Sequence, residues 1–588
     1  MSTITDMPSP RWVAWLASVA AIGAALTPGG ALAASRFVTI NGSDAANNCL
    51  SSANPCRHVA YAATQAADGD TVSIGAGQFS NENVSITTAK RVFFAGASSS
   101  FDPSLGTAVN SSNANPAFDL RGGGGISSLR VAPSQGSPTG PSVSLEGAAP
   151  AGVLRSFVID DVAMQHSLGA LGVKPGASGS VDVQISNSKF VGPSFDYALL
   201  DVSGPGASVT VRDTSFTDPG NDGAMLTANR ASVRFERVIG NELYGLIVTG
   251  GTLDIERSQI LTNGGYALSL ESNTVASGAA VARVTNSVLA LNGPSSFSVS
   301  TIEQSTINNG LPSQLDLVGS TVVKRAPTAD EALQVRTEAP TSAGATLVNT
   351  AVRSINTGGS PAATDIKTIG PGNGSVAASF SSFTNVSGNV TAPGIADNVI
   401  GDPQFTDVAG KDYTLAPGSP LVDRGSPSAA VGPLDVIGNP RSSDGNGDCI
   451  AVPDIGAFER PGACPALSFA LAARKVKVNR KGKGTLPFTC GAPAGQTCTV
   501  LGTLTTKQTA PRAAKKRKPK RVGTVSGAVA RGQTGRLALA LNGRGKKLIG
   551  ARHKLKAALD GTVSDQLGQR SALASTLRIK LTGKRRHH

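Results

Sequence analysis

From Ser180 to Ser186 valine and isoleucine alternate with polar residues, and the chain then turns at Asn187-Ser188, in the stretch SVDVQISNSKF. Related phrases return as SVTVRDTSF from Ser208, SVRFERVI from Ser232 and TLDIERSQI from Thr252. Strict alternation over such short runs predicts half-buried strands rather than helices. Aligning the turns gives a ladder of Ser or Thr, any residue, then an apolar one. Its members are Ser188-Lys-Phe190, Thr214-Ser-Phe216, Ser258-Gln-Ile260, Ser287-Val-Leu289 and Ser305-Thr-Ile307, with Thr350-Ala-Val352 and Ser381-Ser-Phe383 further on. Asp161 and Arg237 are read as filling the same slot, and Asn187, Asp213, Asn286 and Asn349 come just before it. From 161 to 305 the spacings are 27, 26, 23, 21, 29 and 18 residues.

A repeat of roughly 20–30 residues marks a solenoid. These units hold short strands and turn residues without a helix, so the reading is a parallel β-helix rather than a leucine-rich repeat or a propeller. The alternative is an antiparallel β-sandwich. Val181/Val183, Val209/Val211, Val233/Phe235 and Leu253/Ile255 are expected to form inward stacks. No coil can bury its apolar face alone, so successive coils must match. Near the start, Asn54-Pro55 suits an N-cap followed by a first helical residue, which predicts a capping helix through Ala67 with Val59, Ala60, Ala63 and Ala67 facing the core.

PCRHVAYAATQAADGDTVSIGAGQF, from Pro55 to Phe79, resembles the N-terminal cap and first coil of the right-handed parallel β-helix family, the pectin-lyase-like superfamily. Handedness is implied by that resemblance alone. GDPQFTDVAGKDYTLAPGSPLVDRG, with LDVIGNPR and VPDIGAFE beyond it, resembles the closing segment of bacterial "choice-of-anchor" β-helix proteins. Asp402-Pro403, Asp412-Tyr413, Ser419-Pro420, Asp423, Gly425, Asp435, Pro440-Arg441 and Asp454 to Glu459 come in order. The resemblance implies a cap in a secreted or cell-surface protein, with Asp435 and Asp454 as structural turn residues.

After Cys464 new alternating runs begin, KVKVNRKGKGTLPF, GRLALALNG, RHKLKAAL and TLRIKL. They predict a sandwich of about seven strands, and they resemble the lysine-rich Ig-like C-terminal domains of secreted actinobacterial proteins. The fold class is therefore all-β, a right-handed parallel β-helix solenoid followed by a small Ig-like β-sandwich. The expected division is a signal peptide at 1–33, the β-helix at 34–395, a closing segment at 396–464 and the sandwich at 465–588.

Composition agrees: aromatics are 4% and Gly numbers 69, which excludes a helical bundle. Charge divides the chain. From Pro465 onward 28 Lys and Arg face only Asp560 and Asp565, a net +26; the preceding 464 residues hold 25 basic and 37 acidic residues, a net −12. Arg11, an apolar run from Trp12 to Leu26 and Ala31-Leu32-Ala33 have the order of an export signal, with a retained anchor as the alternative. The six cysteines fall into the local couples Cys49/Cys56, Cys449/Cys464 and Cys490/Cys498, which suit disulfides in an oxidising compartment.

Several clusters invite chemistry. Two outward rows are expected, Asp182, Thr210, Arg234 and Asp254 in one, Gln184, Arg212, Glu236 and Glu256 in the next. Arg212, Arg234, Glu236, Asp254 and Glu256 are the catalytic candidates. A lyase needs a base beside a neutralised uronate, and a glycosidase needs two carboxyls. The plainer reading is alternating charge on a solvated face. Asn221-Asp222-Gly223 only echoes a polygalacturonase element, and His166 with Asp160-Asp161 is a minor cluster. Asp444-Gly-Asn446-Gly-Asp448 begins like a calcium loop, so Asp444, Asn446 and Asp448 are candidate ligands and calcium the candidate cofactor. An EF-hand needs Gly and Glu where Cys449 and Ile455 stand, which favours a disulfide-closed turn. Lys515, Lys516, Arg517, Lys518, Lys520 and Arg521, in the run RAAKKRKPKR, are candidates for holding an anionic polymer, against a merely solvated loop.

The function expected is a secreted, wall-associated protein binding extracellular polysaccharide without catalysis. The alternatives are a polysaccharide lyase or hydrolase and a purely structural wall protein. A monomer is expected, with no nucleic-acid partner and no membrane span after signal cleavage.

Overall fold

The computed structural model describes residues 33–582 except 103, 112–115, 133–140, 148–153, 166–168, 177–178, 193–197, 218–222, 243, 263–264, 293–299, 308–309, 329, 339, 360–362, 392–396, 428–430, 493–495 and 507–517. Residues 1–32 of the expected signal peptide, His166, Asn221-Asp222 and Lys515, Lys516 and Arg517 lie outside the described residues.

Three parallel ladders wind through the first 400 residues, one strand of each per coil. The first sheet passes from Ser180–Ser186 to Ala207–Arg212, to the second half of Ala224–Glu236, to the second half of Tyr244–Glu256 and on to Ala280–Thr285. The second sheet carries Lys189–Val191, Ser215–Thr217, Ile239–Glu242 and Gln259–Thr262. The third carries Leu200–Ser203, the first halves of the two long strands, and Leu268–Ser272. This is the parallel β-helix that the repeat predicts. Its last coil strand, Val399–Ile400, pairs with Ser382–Phe383 beyond position 395.

The corner between first and second sheets explains the repeated phrase. Asp161, Asn187, Asp213, Arg237, Arg257, Asn286 and Asn349 all have φ between 47° and 54°, the left-handed region that short polar side chains tolerate best. One residue later, except after Asp161 and Arg237, comes a buried hydroxyl that works in two directions. Ser258 Oγ donates to its own Glu256 carbonyl at 2.9 Å and accepts from the previous coil's Val238 N–H at 3.0 Å. Ser287 Oγ does the same for Thr285 and for Ser258 N–H, at 2.8 and 3.0 Å. Ser188, Thr214, Ser320, Thr350 and Ser381 continue this column. It satisfies backbone that a dry corner would otherwise leave unpaired.

Three expectations at this corner are corrected. Asp161 and Arg237 occupy the left-handed position, and Val162 and Val238 hold the slot after them. Ser305 lies in the third-sheet strand Ile302–Thr306, and the corner hydroxyl of that coil is Ser320. The inward residues are all buried, but Val183 stacks on Val209 and Ile185 on Val211, two residues from the expected pairing. In the second sheet Phe190 and Phe216 stack at 4.5 Å within the same core.

The capping helix is shorter than expected, Val59–Gln65, with His58 as its N-cap. Cys56 is instead tied to Cys49 and bridges to Val38 as extended chain, so Asn54-Pro55 cannot start the helix. Val59, Ala62 and Ala63 are buried, with Ala66 close behind, while Ala67 is exposed.

The closing segment lies along the flank of the second sheet. Tyr413, Val436, Ala457 and Phe458 pack on the outward side chains Val288, Ala290 and Val323. Arg441, 2% exposed, reaches Asn286 Oδ1 at 3.0 Å through Nε and the carbonyls of Gly319 and Gly456 at 2.6 and 2.7 Å. Asn349 exchanges hydrogen bonds with Ser426 across the same seam. Gly425 approaches so closely that a Cβ there would stand 2.6 Å from the Pro453 carbonyl. Asp435 accepts from Ile437, Asn439 and Glu459 N–H groups, and Asp454 from Asp423 and Arg460, so both act as turn residues.

The terminal domain is an eight-stranded sheet folded into a sandwich. Ser468–Leu471 pairs with Lys483–Gly491, then Lys475–Val478 switches to pair in parallel with Arg570–Leu581. A helix, Gly543–Arg552, which the alternation does not announce, is capped by Asn542 Oδ1 accepting from Gly545 N–H. All three expected disulfides are formed, with Cys490–Cys498 in this domain's core.

Candidate functional site

Alternation turns every second residue of the first sheet outward, and the parallel register stacks these residues coil upon coil. One row reads Gln184, Thr210, Arg234, Asp254, Arg283 and Asp316. The next reads Ser186, Arg212, Glu236, Glu256 and Thr285. The expected rows are therefore right from residue 210 onward, while Asp182 and Gln184 are displaced by two. Asp182 stands beside Ser208 instead.

The five catalytic candidates do come together, as ion pairs. Arg234 bridges Asp254 at 2.6 Å and Glu256 at 2.7 Å. Arg212 Nε donates to Glu236 at 3.0 Å and its Nη1 to the Gln184 amide oxygen at 3.3 Å. Two corner residues join them. Arg257 reaches Glu236 at 3.2 Å, and Arg237 pairs with both Glu236 and Asp213. Burial pushes the Glu236 carboxyl up, but Arg212 and Arg237 outweigh it and hold the group below its ordinary value. A general acid needs the opposite shift, which Glu236 does not have, while Asp254 and Glu256 each commit one carboxylate oxygen to Arg234. This arrangement offers a semi-exposed lattice of fixed charges and hydroxyls facing solvent.

A second cluster escapes the sequence reading. On the outer side of the third sheet, Tyr266 hydrogen-bonds to Glu303, and burial together with that carboxylate raises its hydroxyl pKa well above the ordinary value. Glu271, one coil before Glu303, accepts from Ser269 Oγ at 2.8 Å and Asn273 Nδ2 at 2.7 Å. Neither carboxylate has an ion-pair partner among the described residues. The Tyr244 ring lies over Gly265, where a Cβ would stand 2.0 Å from it. The signal was present in the recurrence of Tyr244-Gly-Leu and Tyr266-Ala-Leu, in a chain with five tyrosines.

The candidate calcium ligands are engaged locally. Asp444 accepts from Cys449 N–H, Asn446 from Asp448 N–H and Asp448 from Ile450 N–H, at 2.8–2.9 Å. Calcium takes six to eight oxygens. The one cluster of possible ligand atoms found among the described His, Cys, Asp and Glu residues joins Asp444 to Cys449 and Cys464, whose sulfurs form a disulfide. The hydrogen bonds of the three residues and the Cys449–Cys464 bridge fit a disulfide-closed turn. In the basic run, Lys518, Lys520 and Arg521 are exposed at the stem of their loop, where Lys520 and Thr506 exchange hydrogen bonds.

No family profile and no curated protein matches the chain. Among solved structures, one described as "The complex structure of XylC with xylose" is similar, with 9% sequence identity, a TM-score of 0.30, and coverage of 63% of this chain and 87% of that one. The chain is a parallel β-helix protein, strapped along one flank and extended by a small basic β-sandwich.

Proposed function

We propose that this is a secreted, surface-associated protein whose β-helix binds extracellular polysaccharide without cleaving it, while its basic domain holds an anionic polymer. The observation that carries the first part is the pairing of Asp254, Glu236 and Glu256 with arginines. Fixed charges in line with Gln184 and Thr210, next to the parallel row of Asp182 and Ser208, give hydrogen-bonding groups that repeat every coil, about 4.8 Å apart, and suit a polymer with a repeating unit. The three disulfides are compatible with export, and no described helix is long and apolar enough to cross a membrane.

One observation favours a second reading, glycoside hydrolysis. Glu271 and Glu303 lack cationic partners among the described residues, and strand spacing and rise place their Cα atoms about 8 Å apart. Both readings meet in one assay. The mature protein is incubated with neutral and acidic polysaccharides, with and without calcium. Polymer retained with no new reducing ends is the expected result. An unsaturated uronate product would establish a lyase and overturn it. Reducing ends abolished by Glu271→Gln or Glu303→Gln would establish the hydrolase.

A further inference from the structure

The basic domain's charge is not concentrated in its long loop. Lys475–Val478, Arg570–Leu581 and Lys554–Ser564 lie side by side in one sheet. Alternation points Val476 and Ile579 inward and leaves the residues between them outside. The register then aligns Lys475, Arg578 and Lys556 in one row, and Lys477, Lys580 and Lys554 in the next. All six are exposed, and none has an ion-pair partner among the described residues. Cross-strand neighbours stand about 5 Å apart and the rows about 6.6 Å apart. Arg552 adds a seventh cation to the lining of the same depression, whose volume is about 810 Å³ and which Val476, Leu555 and Ile579 also border.

Like charges directly opposite one another destabilise a sheet. The domain's two acids could have relieved this, yet Asp560 stands opposite Ala574, further along the hairpin, and Asp565 lies beyond the strand in the hairpin turn. The grid's position also matters. The hairpin turn is tied to the linker, where Leu467 N–H donates to Gln569 Oε1 at 2.8 Å. Lys556 lies eight residues up the strand from Ser564, about 27 Å away at strand rise, so the grid is held off from the junction with the β-helix. The basic loop leaves from the adjacent strand, where Thr506 pairs with Ala557. The stem of that loop, Thr506 and Lys520, and the grid therefore share one end of the sandwich.

We propose that this six-cation grid is the seat of a linear anionic polysaccharide, carrying carboxylate, sulfate or phosphodiester groups, and that the loop is an accessory to it. This rests on the reading that the basic domain holds an anionic polymer. Charge complementarity selects the class of ligand, and the absence of aromatic side chains from the lining leaves no platform for stacking nucleic-acid bases.

The test uses the full-length mature protein. A grid variant changes Lys475, Lys477, Lys554, Lys556, Arg578 and Lys580 to Gln. A loop variant changes Lys515, Lys516, Arg517, Lys518, Lys520 and Arg521 to Gln. Both are measured on immobilised polygalacturonate, dextran sulfate, neutral dextran and duplex DNA. The grid variant should bind the two acidic polysaccharides at least about a hundredfold more weakly, with a flattened salt dependence, and the loop variant less than about tenfold. Because removal of like charges relieves repulsion, the grid variant's unfolding midpoint should hold or rise. The smaller variant Lys477→Glu with Lys554→Glu should lose binding in the same way. Undiminished binding by the grid variant would overturn the proposal, as would a wild-type preference for DNA. If wild type binds no acidic polymer, the anionic-polymer reading itself falls. Loss confined to the loop variant would spare that reading and refute the grid alone.

Discussion

At the scale of single residues, the hydroxyl column sets the fold's tolerance. Ser258→Ala removes the acceptor of Val238 N–H in a corner closed to water, at a cost of about 1–3 kcal/mol in chemical denaturation. Val238 interrupts the column between Thr214 and Ser258, and Val238→Thr restores a hydroxyl of nearly the same shape. It should leave stability unchanged or raise it by up to about 1 kcal/mol, measured in the same way. Most of this column was legible, because a hydroxyl after a left-handed Asn or Asp recurs in the sequence. The register of Asp182 was not, for a physical reason. Parallel register follows the left-handed corner residue rather than the first residue of a strand. The corner residue Asn187 comes seven residues after Ser180 but Asp213 only five after Ser208, so matching their Ser-Val pairs shifts one coil by two. Asp161 and Arg237 misled in a similar way, since a polar residue at the corner looks alike in either of two adjacent slots.

At the scale of elements, the closing segment is held by buried polarity. Arg441→Met would free Asn286, Gly319 and Gly456 from their shared guanidinium and leave Glu459 without a nearby cation. Breaking one partner of a buried charge cluster costs about 3–5 kcal/mol, so limited proteolysis within 401–464 should quicken while the coils stay protected. The cluster is also pH-sensitive. Burial, then repulsion from Asp454, raises Glu459 to about 8, and burial raises Asp454 to about 6. Carboxyls that hold protons more tightly folded than unfolded contribute stability at low pH and lose it as the pH climbs through their folded values. The segment should therefore be less stable at pH 8 than at pH 5, with Glu459→Gln flattening that slope in thermal unfolding. Sequence reading found every residue of this block in order. It did not find the flank as the docking place, because the apolar partners, Val288, Ala290 and Val323, look like ordinary strand residues until the outward side of their sheet is known. The capping helix was also overextended, since a Pro suited to a first helical turn is outweighed here by the Cys49–Cys56 disulfide beside it.

At the scale of the molecule, two surfaces of opposite charge are joined at Cys464. Screening acts on them differently. Raising salt to about 0.5 M should release an acidic polymer from the basic domain, while retention of a neutral polysaccharide by the β-helix should change little; a pull-down across a salt series reads both at once. The split was plain in the sequence, but the placement of its positive half was not, because Lys475, Lys554 and Arg578 are far apart along the chain and meet only through strand pairing. The flank-bound strap has a mechanical consequence. Were the terminal domain fixed to a surface and the β-helix pulled by its cargo, tension entering at Cys464 would pass through the anchorages at Asn286, Gly319 and Asn349. The load would fall in shear across three successive coils that precede the end of the solenoid, and the last coil, ending at Ile400, would be spared from peeling away one strand at a time.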